Sequence, residues 1–161
     1  MERWSDFFVA TAGAAAALAG LVIVAVSVNV HEILQYRQLP ARAAAAIASL
    51  VLALVVSIAG LAPQPPLAYG LEALGLGAVA WAIHLASGRI TWLGGRANGR
   101  PRGEAVQVIV LGQAQTLPVV VGAALVAAGS PAGEYVVFAA ILAIFPLAVL
   151  DAWVLLIEIL R

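Results

Sequence analysis

Long apolar runs separated by short polar breaks dominate the chain, and their spacing suits a bilayer better than an aqueous core. A helix needs about 20 mostly apolar residues to cross roughly 30 Å of hydrocarbon. Five stretches meet that need: residues 7–30, 41–62, 67–88, 105–128 and 135–160. The second stops at the breaker Pro63-Gln64-Pro65-Pro66, and the third is the least apolar because Glu72 and His84 interrupt it. The pattern predicts an all-α integral membrane bundle of five transmembrane helices in a single domain. The connections are too short to hold a separate soluble unit. The first run is longer than the core of an ordinary signal peptide and its positive flank follows it, so it reads as an uncleaved anchor.

Composition agrees with this pattern. Hydrophobic residues make up 64% of the 161 residues and charged residues 10%, against about 25% charged in soluble domains. A small soluble domain has a high surface-to-volume ratio and needs a charged skin, which these residues cannot supply. The mean hydropathy of +1.06 points the same way. Cysteine is absent, which excludes disulfides, Cys-ligated zinc, iron–sulfur clusters and thiol nucleophiles. A formal net charge of zero gives no reason to expect a nucleic-acid partner.

Arginine placement predicts orientation. Arg37 and Arg42 flank the first connection, Arg89, Arg96, Arg100 and Arg102 crowd the third, and Arg161 ends the chain. Five spans put all of these on one side and leave only Arg3 on the other. Because positive residues are retained inside, the N-terminus is expected out and the C-terminus in. A four-span reading would omit the third run and split the arginines across both sides. The stretch from Arg89 to Glu104, with Gly94-Gly95-Arg96 and Asn98-Gly99-Arg100-Pro101, reads as a flexible basic cytoplasmic loop. It would set topology and could meet anionic headgroups.

Helices in lipid associate through close packing and interhelical hydrogen bonds, which small residues permit. Gly13 with Ala17, and Ala16 with Gly20, form small-residue pairs along the first span, which is therefore expected to be the central, most buried helix. Gly77 offers a similar approach on the third. Pro118 and Pro146 each remove a backbone donor and are expected to kink the fourth and fifth spans.

Polar side chains inside spans are costly and usually face protein or water. Asp151, His84, Gln113, Asn29 and Ser27 fall at similar depth, in the inner half of four spans. They suggest a hydrogen-bond network or a vestibule open to the cytoplasm. Asp151 is the sharpest member, with His84 as its expected partner, either in a static clasp or in a pair that carries a proton or cation. Gln113 and Gln115 are two residues apart and face different ways, so at most one can line a shared cavity. Asp6, Glu72 and Glu134 make an acidic margin on the outer side. Trp4, Phe7 and Phe8 mark the outer interface, and Trp92 and Trp153 the inner one. His31 falls outside the hydrocarbon and leaves His84 without an opposed imidazole for haem. No catalytic motif, metal set or cofactor fingerprint is present.

The opening Trp4-Ser5-Asp6-Phe7-Phe8-Val9-Ala10 runs into Ala12-Gly13-Ala14-Ala15-Ala16-Ala17-Leu18-Ala19-Gly20-Leu21. Ala25-Val26-Ser27-Val28-Asn29 and Leu39-Pro40-Ala41-Arg42-Ala43 follow. These segments resemble a family of small actinobacterial membrane proteins, some of which are labelled "modulator of FtsH protease". The resemblance covers roughly the first 45 residues and implies a multi-pass protein of the bacterial cytoplasmic membrane. It brings no catalytic or ligand residues with it.

Three functions remain in view. The first is a non-enzymatic bundle acting by helix association, as a homo-oligomer or with another membrane protein. The second is a small oligomeric channel or transporter with a polar inner-half cavity around Asp151 and His84. The third is a binder of a lipid or quinone-type molecule.

Overall fold

The computed structural model describes residues 4–36, 38–97 and 102–159, all in helices and short connections. The helices are α1 (Ser5–Val28), α2 (Val30–Gln35), α3 (Gln38–Leu61), α4 (Pro66–Ala97), α5 (Arg102–Ala127) and α6 (Ala132–Ile159). All but the short α2 are long and apolar enough to cross a membrane, giving five candidate spans. Arg3, Arg37, Arg100 and Arg161 of the orientation argument lie outside the described residues.

Each helix boundary has a local cause. Pro66 opens α4, where a missing backbone N–H costs nothing. Gly129 closes α5 with φ +76°. Its N–H bonds the Val126 carbonyl and the Ser130 N–H bonds that of Leu125, both at 2.9 Å. That is the Schellman arrangement, which takes glycine without steric cost. Asn29 separates α1 from α2, and its backbone N–H and side-chain amide both reach the Ala25 carbonyl. Both Pro118 and Pro146 lie within helices that continue past them.

Successive spans are antiparallel, as the contacts between them show. Thr11 of α1 meets Ser57 of α3, and Ser49 of α3 meets His84 of α4. Gly70 of α4 faces Ala127 of α5, and Gly133 of α6 faces Val126 of α5. The most extensive packing is between α4 and α5, followed by α5 with α6 and α1 with α3.

The central helix is α3, not the first span. Half of its apolar window is buried (50%), against 17% for α1. α3 carries a stripe of small and polar residues at helical spacing, Arg42, Ala46, Ser49, Ala53, Val56 and Gly60, all buried. That stripe lets α1, α4 and α6 approach it from three sides. α1 buries only Phe8, Thr11, Ala15 and Ala19. Gly13, Ala17 and Gly20 lie on its exposed side, and a Cβ at either glycine would meet nothing within 4 Å. Its small residues were expected to draw neighbours in, but the bulkier Phe8 and the hydroxyl of Thr11 determine which face packs.

The stretch expected as a flexible loop from Arg89 is helical through Ala97. At 32 residues α4 is about 48 Å long, well beyond the hydrocarbon thickness of about 30 Å. At the other end of the bundle, aromatic rings tie α1 to α6. Phe7 and Phe138 lie 4.1 Å apart between ring centroids, and Trp4 and Phe138 lie 4.8 Å apart.

Glycines set the distance between α4, α5 and α6. A Cβ on Gly70 would lie 2.6 Å from the backbone nitrogen of Ala127, and one on Gly133 would lie 2.5 Å from that of Val126. Backbone cannot move aside as a flexible side chain can. Gly70→Ala and Gly133→Ala are each expected to cost about 1–3 kcal/mol through overpacking. Gly13→Ala, in open space, should leave stability unchanged or slightly raised. Thermal unfolding of the three variants in detergent checks the ranking.

Candidate functional site

Three of the polar side chains predicted to share one inner cluster, Asp151, His84 and Gln113, make three separate contacts instead. Asp151 on α6 pairs with Arg42 on α3, with a guanidinium nitrogen 3.6 Å from a carboxylate oxygen. Both side chains are almost wholly buried, at 7% and 8% exposed. The expected partner, His84, instead shares a 2.7 Å hydrogen bond between Nε2 and the Ser49 hydroxyl. The physical reason is where α3 begins. It starts at Gln38, so Arg42 lies one turn inside the helix and not in the connection before it. The antiparallel arrangement then sets Arg42 against Asp151 and leaves His84 two turns deeper, beside Ser49. Seven residues of helix separate the two levels by about 10 Å.

His84 is held from its other side as well. A Cβ on Gly112 of α5 would fall 2.6 Å from His84 Nδ1, so glycine there admits the imidazole. The Gly112 carbonyl accepts the Thr116 hydroxyl at 2.8 Å. Gln113 faces a different direction and accepts the indole N–H of Trp81 through Oε1 at 2.7 Å.

Ser27 and Asn29 join none of these contacts. Ser27 is exposed and donates to the Ile23 carbonyl at 2.7 Å, and Asn29 donates to that of Ala25. Such back-bonding satisfies a short polar side chain within its own helix.

Two of the carboxylates expected to form an acidic margin are held in pairs. Trp4 donates its indole N–H to Glu134 at 3.0 Å, and Gln64 donates to Glu72 at 3.0 Å. Asp6 is exposed on α1. Among the described residues no three His, Asp or Glu side chains converge where they could hold a metal ion.

Three residues of this interior were missed or underweighted by the sequence argument: Arg42, Ser49 and Gln115. Arg42 and Ser49 are seven residues apart, two turns on one face of the second span, which is a readable signal. Gln115 is fully buried, and neither its amide nitrogen nor its carbonyl oxygen has a hydrogen-bond partner. The buried hydroxyl of Ser87, one turn from His84, is likewise unbonded. Unpaired polar groups in apolar surroundings cost several kcal/mol in the limit, or about 1–3 by mutational measures.

On the flank of the bundle, α4 and α5 leave a groove of about 250 Å³ lined by His84, Leu85, Gly88, Arg89, Trp92, Leu93, Ile109 and Gln113. The wall is almost entirely carbon.

The fold defines the class: a polytopic α-helical membrane protein with five apolar helices of spanning length. Compared with protein-family models, curated proteins and solved structures, the chain matches none.

A buried ion pair is costly to break from one side because the remaining charge is stranded. Asp151→Asn and Arg42→Met are each expected to destabilise the bundle by about 3–5 kcal/mol. The double variant Arg42→Met/Asp151→Leu should lose far less than the sum. A double-mutant cycle from thermal melts in detergent measures the coupling, and strictly additive losses would show that the two groups do not act as a pair.

Proposed function

We propose that this protein acts without chemistry of its own, by lateral association of its helices in the bacterial cytoplasmic membrane, with a second copy as the partner. The observation that carries the reading is the outward face of α1. Gly13, Ala17 and Gly20 lie on it, with space beyond Gly13 and Gly20. A second helix can approach such a face to backbone contact, and that approach supplies the packing that lipid does not. The same span is the least buried of the five, so it has surface to share. Its aromatic N-terminal turn is meanwhile fastened to α6 through Trp4 and Phe7, which holds the face at a set angle. The interior supports the same reading, because Arg42–Asp151 and Ser49–His84 have the form of interhelical clasps. With the arginine-rich connections inside, the N-terminus faces out and the C-terminus faces the cytoplasm.

A second reading, a small oligomeric channel or transporter, is favoured by Gln115 and Ser87. These are polar groups within the bundle that take part in no clasp.

The chain has no cysteine, so single introduced thiols report proximity without background. Ala17→Cys is expected to give a disulfide-linked dimer in native membranes, while Val121→Cys, exposed on α5, should not. Gly13→Leu with Gly20→Leu should shift the purified protein to monomer in light scattering. A monomeric wild type with no α1 cross-link would remove self-association. Proteoliposome flux that is lost in Gln115→Leu would put the channel reading first.

A further inference from the structure

We propose that the groove between α4 and α5 seats one phospholipid with an anionic headgroup, its phosphate at Arg89 and an acyl chain along Leu85 and Ile109. The groove runs from His84 to Leu93 on α4. From Arg89 to His84 it rises about 8 Å, about a quarter of the roughly 30 Å hydrocarbon thickness. The wall below Arg89 is therefore long enough for the upper part of an acyl chain.

Arg89 is the one charged residue on the groove wall. Arg89 is exposed and has no carboxylate partner among the described residues. A guanidinium presents paired donors to phosphate oxygens, and Trp92 beside it is half-buried, as suits an aromatic ring at headgroup depth.

Deeper in, the groove offers almost nothing polar. His84 and Gln113 line it, yet His84 Nε2 is committed to Ser49 and Gln113 Oε1 to Trp81. A free phosphate ion would find one arginine and a carbon wall. An acyl chain below an anionic headgroup matches both parts at once. Basic sites between transmembrane helices are a recognised form of such lipid recognition.

The test is native mass spectrometry of the full-length protein in detergent, offered phosphatidylglycerol and phosphatidylcholine with the same acyl chains. Wild type is expected to retain phosphatidylglycerol about fivefold better, the worth of one arginine near a charged headgroup. Arg89→Gln should abolish that preference. Ile109→Trp, which fills the groove, should lower retention of phosphatidylglycerol to the level of phosphatidylcholine. Leu85→Asn, at a half-buried site on the wall below Arg89, places an amide in the path of the chain. It should act in the same direction, and serves if the tryptophan variant does not fold. Excess glycerol phosphate should leave the bound lipid in place, and displacement would show an anion site and overturn the lipid seat. Equal retention of the two lipids by wild type, or a preference that survives Arg89→Gln, would also overturn it.

Discussion

Close approach of backbones at glycine is the constraint on which the α4–α5–α6 half of this bundle rests. In water, apolar side chains drive helices together; in lipid that drive is largely gone, and contact surface must replace it. Here the contact is made where side chains are absent. Gly70 lies against the backbone of Ala127, Gly133 against that of Val126, and Gly122 against Val137. These contacts leave little freedom of register, because sliding one helix would bring a Cβ into backbone. Register in turn decides which polar groups meet. Gly112 admits the ring of His84 only when α4 and α5 stand in this alignment, and the ring then faces Ser49 of α3.

The polar interior is accordingly a set of discrete interhelical bonds at different depths. Arg42–Asp151 ties α3 to α6, Ser49–His84 ties α3 to α4, and Thr11–Ser57 ties α1 to α3. Each crosses between helices, and α3 takes part in all three. That is why the helix richest in buried small and polar residues is also the centre of the bundle. Arg42, Ser49 and Ser57 on α3 each meet a different helix. On α1, Thr11 faces α3, whereas the exposed Ser27 turns back on its own helix.

Two parts of the surface stand apart from lipid-facing bulk. One is the open face of α1, and the other is the groove at the arginine end of α4 and α5. They lie on different helices, and neither needs the other. An associating protein with a headgroup-dependent seat would respond to the composition of the leaflet around it as well as to its partner helix.

By itself the sequence determined the number of candidate spans and the all-helical class. Those follow from hydrophobic length against bilayer thickness, a one-dimensional property. It also placed the breaker Pro63-Gln64-Pro65-Pro66 after the second span, since proline acts on its own backbone. Which helix is central was not legible, because Gly and Ala permit close approach without stating who approaches. The small residues of the first span looked like a packing face and were left outside, while the stripe on α3 did that work. Nor was the partner of Asp151 legible. Arg42 reads along the chain as a flanking charge that sets orientation, and only the packing of α3 against α6 makes it the counter-charge of a carboxylate more than 100 residues away. Depth along a helix is local and can be counted from residue numbers. Rotation about its axis and the choice of neighbour are settled by the contacts of every helix at once, and only the tertiary structure contains them.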